Sequence, residues 1–235
     1  MSNFEGESGL DGFAFGEDFV SSPVHKLAVT NEVDFDGLLS NRPLKLHEDL
    51  SKGVGGQAWP AGLVLAKYLL RNKRDELKQS SIVELGAGGG LVGLAIALGC
   101  RPNKVIHITD QEPMLALMRQ NIDLNELDGA VQASVYNWGS APTGQIPEYP
   151  DIVLAADCVY FEPAFPLLQQ TLEDLIGPNT VCYFCFKKRR RADTQFMKAI
   201  KKVLAVEDVL DDLERGIYAR KNIFLCTIKR KRIDR

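Results

Sequence analysis

IVELGAGGGLVG, residues 82–93, is a short apolar run holding one glutamate, Glu84, followed by five glycines within eight residues. The apolar part reads as a buried strand, and the uninterrupted apolar residues 91–98 read as the helix that follows it. A strand that turns into a helix through glycines places backbone amides where no Cβ blocks a ligand, and glycine alone enters positive φ there at little cost. The stretch therefore predicts the first loop of an open sheet, which is where such folds hold nucleotide-like ligands.

Working outward, the chain keeps alternating. KVIHITD (residues 104–110) is a second strand, and residues 114–124 form a helix with Leu115, Met118 and Ile122 on one side. VQASVYNW (131–138) is a third strand and DIVLAAD (151–157) a fourth. Phe165, Leu168, Leu172 and Leu175 mark the next helix. TVCYFCF (180–186) gives a fifth strand, Phe196, Ile200 and Val203 a helix, and NIFLCTIKR (222–230) a last strand. Strand and helix by turns predicts an α/β fold, a doubly wound, mostly parallel sheet with helices on both faces. Before the glycines, Pro60 opens a helix with Leu63, Leu65, Leu69 and Leu70 on its apolar face. HKLAVT (25–30) and PLKLHED (43–49) read as two short alternating segments, a hairpin beside the main domain. The expected organisation is an acidic, disordered lead over residues 1–24, an N-terminal extension over 25–57 and the main domain over 58–235.

Two ligand registers share the glycines. Gly88, Gly90 and Gly93 satisfy G-x-G-x-x-G, the dinucleotide pattern. Gly86, Ala87 and Gly88 follow Glu84 as E-x-G-x-G, the pattern of an S-adenosylmethionine loop. A carboxylate two residues before the first glycine would repel a pyrophosphate and could balance a cationic amino-acid moiety. Asp110, ending the second strand, is placed to accept ribose hydroxyls, a role common to both ligands. Trp138 could wall an adenine, and core packing on a helix accounts for it as well. The fourth strand then ends in AADCVY, with Ala156, Asp157 and, three residues on, Tyr160. Its tip would face the reacting end of a ligand lying across the first and fourth strands.

Taken in order, GGQAWPAGLVLAKYL, VELGAGGGLVG, HITD, YNWG, AADCVY and KKRRRADTQF resemble the seven-β-strand, class I protein-lysine methyltransferases with a D-x-x-Y motif, the methyltransferase-like twenty-one group and its fungal relatives. The likeness spans about residues 45–230 and is nearest to fungal enzymes that methylate a lysine of translation elongation factor 1-alpha. It implies a Rossmann-like sheet of seven strands, S-adenosylmethionine as the methyl donor and a protein substrate, elongation factor 1-alpha. It also implies that Gly86, Ala87 and Gly88 form the donor loop, with Glu84 near the methionine amine and Asp110 on the ribose. Trp138 and Ala156 would border the adenine, Trp59 would reach the donor from the helix start, and Asp157 and Tyr160 would be the catalytic pair of the acceptor channel. The sequence departs from its relatives at GAGGG, where a threonine or serine often stands among the glycines.

Composition narrows the alternatives. With 235 residues and 45% hydrophobic content the chain can bury one large core. No apolar run is long enough for a membrane span and no signal peptide opens the chain, so a cytoplasmic enzyme is expected. The formal charge of −3 argues against a cationic nucleic-acid binder. KKRRR (187–191) and KRKR (229–232) read either as solvated strand ends or as docking for an acidic partner, and the latter also as a nuclear import signal. Five cysteines, an odd number in apolar segments, suit buried thiols, and with three histidines no metal site is expected. A monomer suffices for such a fold. RNA or DNA amino-group methylation remains a rival, weakened because Cys158 and Val159 stand where N/D-P-P-Y/F/W has prolines. A NAD-dependent oxidoreductase and a non-catalytic binding domain are the others.

Methyl transfer to lysine needs a neutral amine. With a free pKa of about 10.4, roughly one lysine in 10³ is neutral near pH 7, a cost of about 4 kcal/mol. A sulfonium and an apolar channel lined by Tyr160 both disfavour the ammonium. A free Asp157 carboxylate would favour it, so the expectation is that Asp157 recruits and orients the charged lysine before the proton leaves to water.

Overall fold

A computed structural model describes residues 28–39 and 42–231. The acidic lead, residues 25–27 of the first alternating segment and Arg232 lie outside them. In chain order the strands are β1 (Val29–Val33), β2 (Leu44–Glu48), β3 (Ile82–Leu85), β4 (Ile106–Asp110), β5 (Val131–Val135), β6 (Ile152–Ala156), β7 (Val181–Lys187), β8 (Leu204–Asp208) and β9 (Ile223–Arg230). The helices are α1 (Pro60–Asn72), α2 (Arg74–Gln79), α3 (Leu91–Cys100), α4 (Glu112–Leu124), α5 (Phe165–Leu175), α6 (Arg191–Val203) and α7 (Arg215–Ala219).

The main sheet has seven strands in the order β5-β4-β3-β6-β7-β9-β8. The five from β5 to β7 run parallel, and β9 runs antiparallel to both β7 and β8. From β3 the chain winds outward through β4 to β5, returns to lay β6 on the other side of β3, and continues to β7. The carboxyl ends of β3 and β6 therefore flank the point where winding reverses, the place where an open sheet leaves a crevice.

Period-two alternation sorts the strand residues. Ile82, Ile108, Leu154 and Tyr183 join the core with α1, α3 and α4, while Val83, Leu85, Val153 and Phe184 join the other with α5 and α6. Helix α3 is apolar nearly all round because it lies in the first core, with eight of its residues buried. Cys182 and Cys185 fall on opposite faces, and all five cysteines are buried and free. Among the described residues no cluster could hold a metal ion, and no helix is long and apolar enough to cross a membrane.

β8 has no counterpart among the six strands read one by one from the alternation, and the seven implied by resemblance are the number found. LAVED follows α6 without glycine or proline and is poor in β-branched residues, so neither propensity nor punctuation marks it. Its pairing with β9 makes it a strand.

The two early segments pair antiparallel as β1 and β2, from Val29 opposite Glu48 to Val33 opposite Leu44. The other edge of β2 has no strand neighbour among the described residues; two buried asparagines, Asn121 of α4 and Asn125 at its C-terminal cap, take that place. Asn121 Oδ1 accepts from His47 N–H at 2.7 Å and its Nδ2 donates to His47 C=O at 3.1 Å. Asn125 repeats this pairing with Lys45 at 3.0 and 2.6 Å. A spacing of four on one helix matches a spacing of two on the strand, since both put successive groups on one side. Asn121 Nδ2 also donates to Gly89 C=O at 2.9 Å, so one amide ties the hairpin to the glycine loop.

Asn121→Ala leaves half-buried backbone groups of His47 and Gly89 without these partners, at about 1–3 kcal/mol in all because water reaches part of them. The melting temperature of the variant should fall by about 5–10 °C. A change under 1 °C would show that the hairpin does not depend on this amide.

Candidate active site

The loop from β3 to α3 is drawn tight. Gly86, Gly88 and Gly90 have φ of 60°, 55° and 86°. Gly88 N–H donates to Asp110 Oδ2 at 2.7 Å, and Ala87 N–H donates to Thr109 C=O at 2.9 Å, pinning the loop to the end of β4. Asp110 Oδ1 accepts from Gln111 N–H at 2.7 Å. Burial raises the Asp110 pKa and these amides lower it again, and each oxygen keeps a lone pair for a further donor.

Two of these glycines mark where other segments close on the loop. A Cβ on Gly88 would stand 2.3 Å from Gly55 C=O, because residues 53–56 cross directly over the loop. A Cβ on Gly86 would come to 3.0 Å from both Trp138 Cζ2 and Cys158 Sγ. Trp138 thus lies against the donor loop from β5's side, half-buried, while also packing on the core of α5 and α6. The crossing segment is held by Trp59 Nε1–H, which donates to Val54 C=O at 3.0 Å, and by Glu48, whose Oε1 accepts from Ala58 N–H at 2.6 Å. Ala156, at the end of β6, lies below α1, 3.9 Å from where a Gly62 Cβ would stand.

Glu84 takes a different position from the one its motif suggests. Alternation turns it toward α3, where Oε2 accepts from Gly93 N–H at 2.8 Å, and it is 2% exposed. Burial raises its pKa to about 8, against the Val92 and Gly93 amides that lower it. At neutral pH the free protein therefore holds it mostly protonated, so the repulsion of a pyrophosphate weighed in the sequence does not operate there. Its visible work is to fasten the first turn of α3 beneath the loop.

Asp157 sits just past β6 with φ of 56° and is buried. Its carboxylate is fully engaged. Arg189 Nη1 and Nη2 donate to Oδ1 and Oδ2 at 2.9 and 2.8 Å, and Lys187 N–H donates to Oδ1 at 3.0 Å. In the free protein this carboxylate is 3% exposed and already holds three donors, so recruitment of an ammonium by it would have to compete with Arg189. The Arg189 guanidinium lies over the Trp59 ring, 5.4 Å from its centroid, so the pair reaches across to the start of α1. Tyr160 is 42% exposed, and Arg190 donates to its carbonyl. Desolvation, together with the charge of Asp110, pushes its hydroxyl up to about 12, which keeps it protonated throughout the neutral range. Cys158, buried beneath Gly86, donates through its thiol to Leu85 C=O at 3.3 Å, and burial holds that thiol protonated.

The structure gathers Glu84, Gly86, Ala87, Gly88, Asp110 and Trp138 at the end of β3, and Ala156, Asp157, Tyr160 and Trp59 beside them at the end of β6. Sequence reasoning missed Arg189 as a partner of Asp157, although its place directly after the strand next to β6 is a signal. Gly55 and Gly62 carried none, because their importance comes from what lies over them.

The profile of a family described as lysine methyltransferase matches residues 38–203. The chain is 34% identical over 242 residues to the protein-lysine N-methyltransferase EFM6 of Saccharomyces cerevisiae, covering 92% of this chain and 97% of that protein. It is 36% identical over 194 residues to the protein N-lysine methyltransferase METTL21A of Danio rerio, covering 79% and 85%. Among solved structures, the S-adenosylhomocysteine-bound methyltransferase PaMTH1 of Podospora anserina aligns with a TM-score of 0.52 at 15% identity, over 76% of this chain and 81% of that one, a likeness of fold.

Because Glu84 titrates higher folded than unfolded, its contribution to stability is full below about pH 4.5 and is lost as pH rises through about 8. Glu84→Gln removes that dependence. The melting temperature of the variant minus that of the wild type should therefore climb between pH 5 and pH 8 and then level off. A difference constant with pH would show that the buried carboxyl does not titrate in this window.

Proposed function

The chain belongs to the lysine methyltransferase family, and from that premise we propose that it methylates a lysine of elongation factor 1-alpha, with the residues of the β3 and β6 tips as donor and acceptor sites. It is an S-adenosylmethionine-dependent protein-lysine N-methyltransferase, which decides the shared glycines for the methyl donor over the dinucleotide. The choice of substrate is supported by the resemblance of its motifs to fungal elongation factor 1-alpha enzymes. The proposal extends to a monomer acting in the cytoplasm, where translation takes place.

The residues present fit such a donor. The loop has amides free of Cβ atoms at Gly86 and Gly88, an acid at the end of β4 and an indole beside it. In the proposed assignment Gly86, Ala87 and Gly88 hold the methionine end by their backbone, and Asp110 accepts from the ribose hydroxyls. Trp138 and Ala156 border the adenine, Trp59 closes the N-terminal side, and Glu84 supports the loop from below. Bound S-adenosylmethionine would supply an electrophilic methyl group to the neutral lysine nitrogen and would leave as S-adenosylhomocysteine. The protein has to align the amine and admit it uncharged. Tyr160, protonated at neutral pH, acts as a wall and a hydrogen-bond partner of the amine and not as a base, so the proton leaves to water. The observation that most supports this reading is that Asp157 and Tyr160 leave β6 beside the glycine loop of β3, across the winding reversal.

S-adenosylhomocysteine at about 100 times its Kd should stabilise the protein by about 2.7 kcal/mol, seen as a raised melting temperature, while NAD should not. Tritiated donor should label elongation factor 1-alpha in lysate from cells lacking this protein's gene; label removed by RNase would overturn the substrate. Tyr160→Phe should lower kcat about tenfold, the worth of one hydrogen bond, and Tyr160→Ala further. Wild-type rates for Tyr160→Phe would leave the ring alone as the functional part.

A further inference from the structure

The basic run after β7 reads in sequence as solvated or as docking surface, yet Arg189 turns inward from it. Its two parallel bonds to Asp157 have the planar fork geometry in which guanidinium and carboxylate pair most strongly. The backbone that delivers it is fixed as well. Asp193, fully buried in the first turn of α6, accepts from Arg189 N–H at 2.7 Å and Arg190 N–H at 2.9 Å. Trp59 lies under the guanidinium, so the arginine is held from α6, from Asp157 and from α1 together.

A solitary carboxylate beside the acceptor amine would favour the ammonium form and oppose the reaction. We propose that Arg189 is a positioning residue that closes Asp157 into an ion pair, so that the D-x-x-Y carboxylate keeps the acceptor site in shape without stabilising the charged form of the incoming lysine. The inference rests on the lysine methyltransferase reading and deepens it. In the step concerned one Nζ–H bond of the ammonium breaks, its electron pair stays on nitrogen, and the proton passes to water. The pair itself carries no net charge. The other titratable or charged groups around it are Asp110 from β4, Glu84 from β3, and Cys158 and Tyr160 after β6. Cys185 and Lys187 of β7, and Arg190 and Asp193 at the start of α6, lie near it as well, with Asp212 and Cys226 behind Cys185. Of these, Cys158, Cys185 and Tyr160 stay uncharged through neutral pH, and Asp193 faces Arg190 at 3.5 Å. Asp157 is thus the carboxylate that Arg189 pairs.

The test compares wild type, Arg189→Met, Arg189→Lys and the double variant Asp157→Asn/Arg189→Met. Single-turnover methyl transfer to the acceptor protein is followed from pH 6.5 to 10. Binding of S-adenosylhomocysteine, and of the acceptor protein in its presence, is measured by calorimetry. With Asp157 released in Arg189→Met, the acid limb of the rate profile should move up by about one pH unit. Turnover at pH 7 should then fall about tenfold and recover above pH 9, with KM unchanged or lower and S-adenosylhomocysteine affinity within twofold. Arg189→Lys, which keeps the charge, should retain the wild-type profile, and the double variant should return the acid limb to its wild-type position. A loss equal at every pH, a collapse of S-adenosylhomocysteine affinity, or weakened binding of the acceptor protein with an unmoved profile would overturn the inference, the last making Arg189 a docking residue. A wild-type enzyme that methylates no protein lysine would instead bring down the substrate reading itself.

Discussion

β3 and β6 lie side by side in register, Ile82 against Ile152 and Leu85 against Ala155, although two strand–helix units separate them in the chain. The pairing brings the end of one winding unit against the end of the next, so that a glycine loop and an acid-and-tyrosine turn share one crevice. Both ends leave the sheet through positive φ, at Gly86 and at Asp157. For glycine that conformation costs little. For Asp157 it is a strained position, held by the Asp157 N–H bond to Cys185 C=O and by the three donors on its carboxylate.

The crevice is finished from outside the sheet. The hairpin, the crossing segment at residues 53–56 and the start of α1 form a continuous cover whose joints are polar: asparagines against β2, Glu48 against Ala58, Trp59 against Val54. Buried polar joints of this sort cost much when one partner is lost and little when all are satisfied, so they specify one seating of the cover over the loop. Arg189 extends the same lacing to the far side, from α6 through Asp157 to Trp59. The apolar cores hold the layers together, and these polar links set where the layers meet above the site.

Much of this was legible in the sequence. Alternating strands and helices, Pro60 at a helix start, and glycines directly after a buried strand carry their physics locally, and the structure follows them closely. What was not legible depended on partners far along the chain. β8 lacks strand propensity and exists through β9. Glu84 looked like a ligand-facing charge because the motif gives its spacing but not its side of the strand; alternation sends it under α3, where burial neutralises it. Arg189 was one letter in a run of five basic residues, exposed like Lys188 beside it, and only the neighbouring of β7 and β6, which brings its guanidinium to Asp157, sets it apart. Asn121 and Asn125 carry no signal of their role, since nothing local says that a strand edge will lie against them.

The amide of Asn121 touches His47 on one side and Gly89 on the other, which makes the hairpin and the donor loop parts of one thermodynamic unit. A ligand that tightens the loop then also favours the seated form of β2, and a change that unseats β2 weakens binding at the loop. A hairpin outside the main sheet can in this way set how firmly the glycine loop holds a ligand.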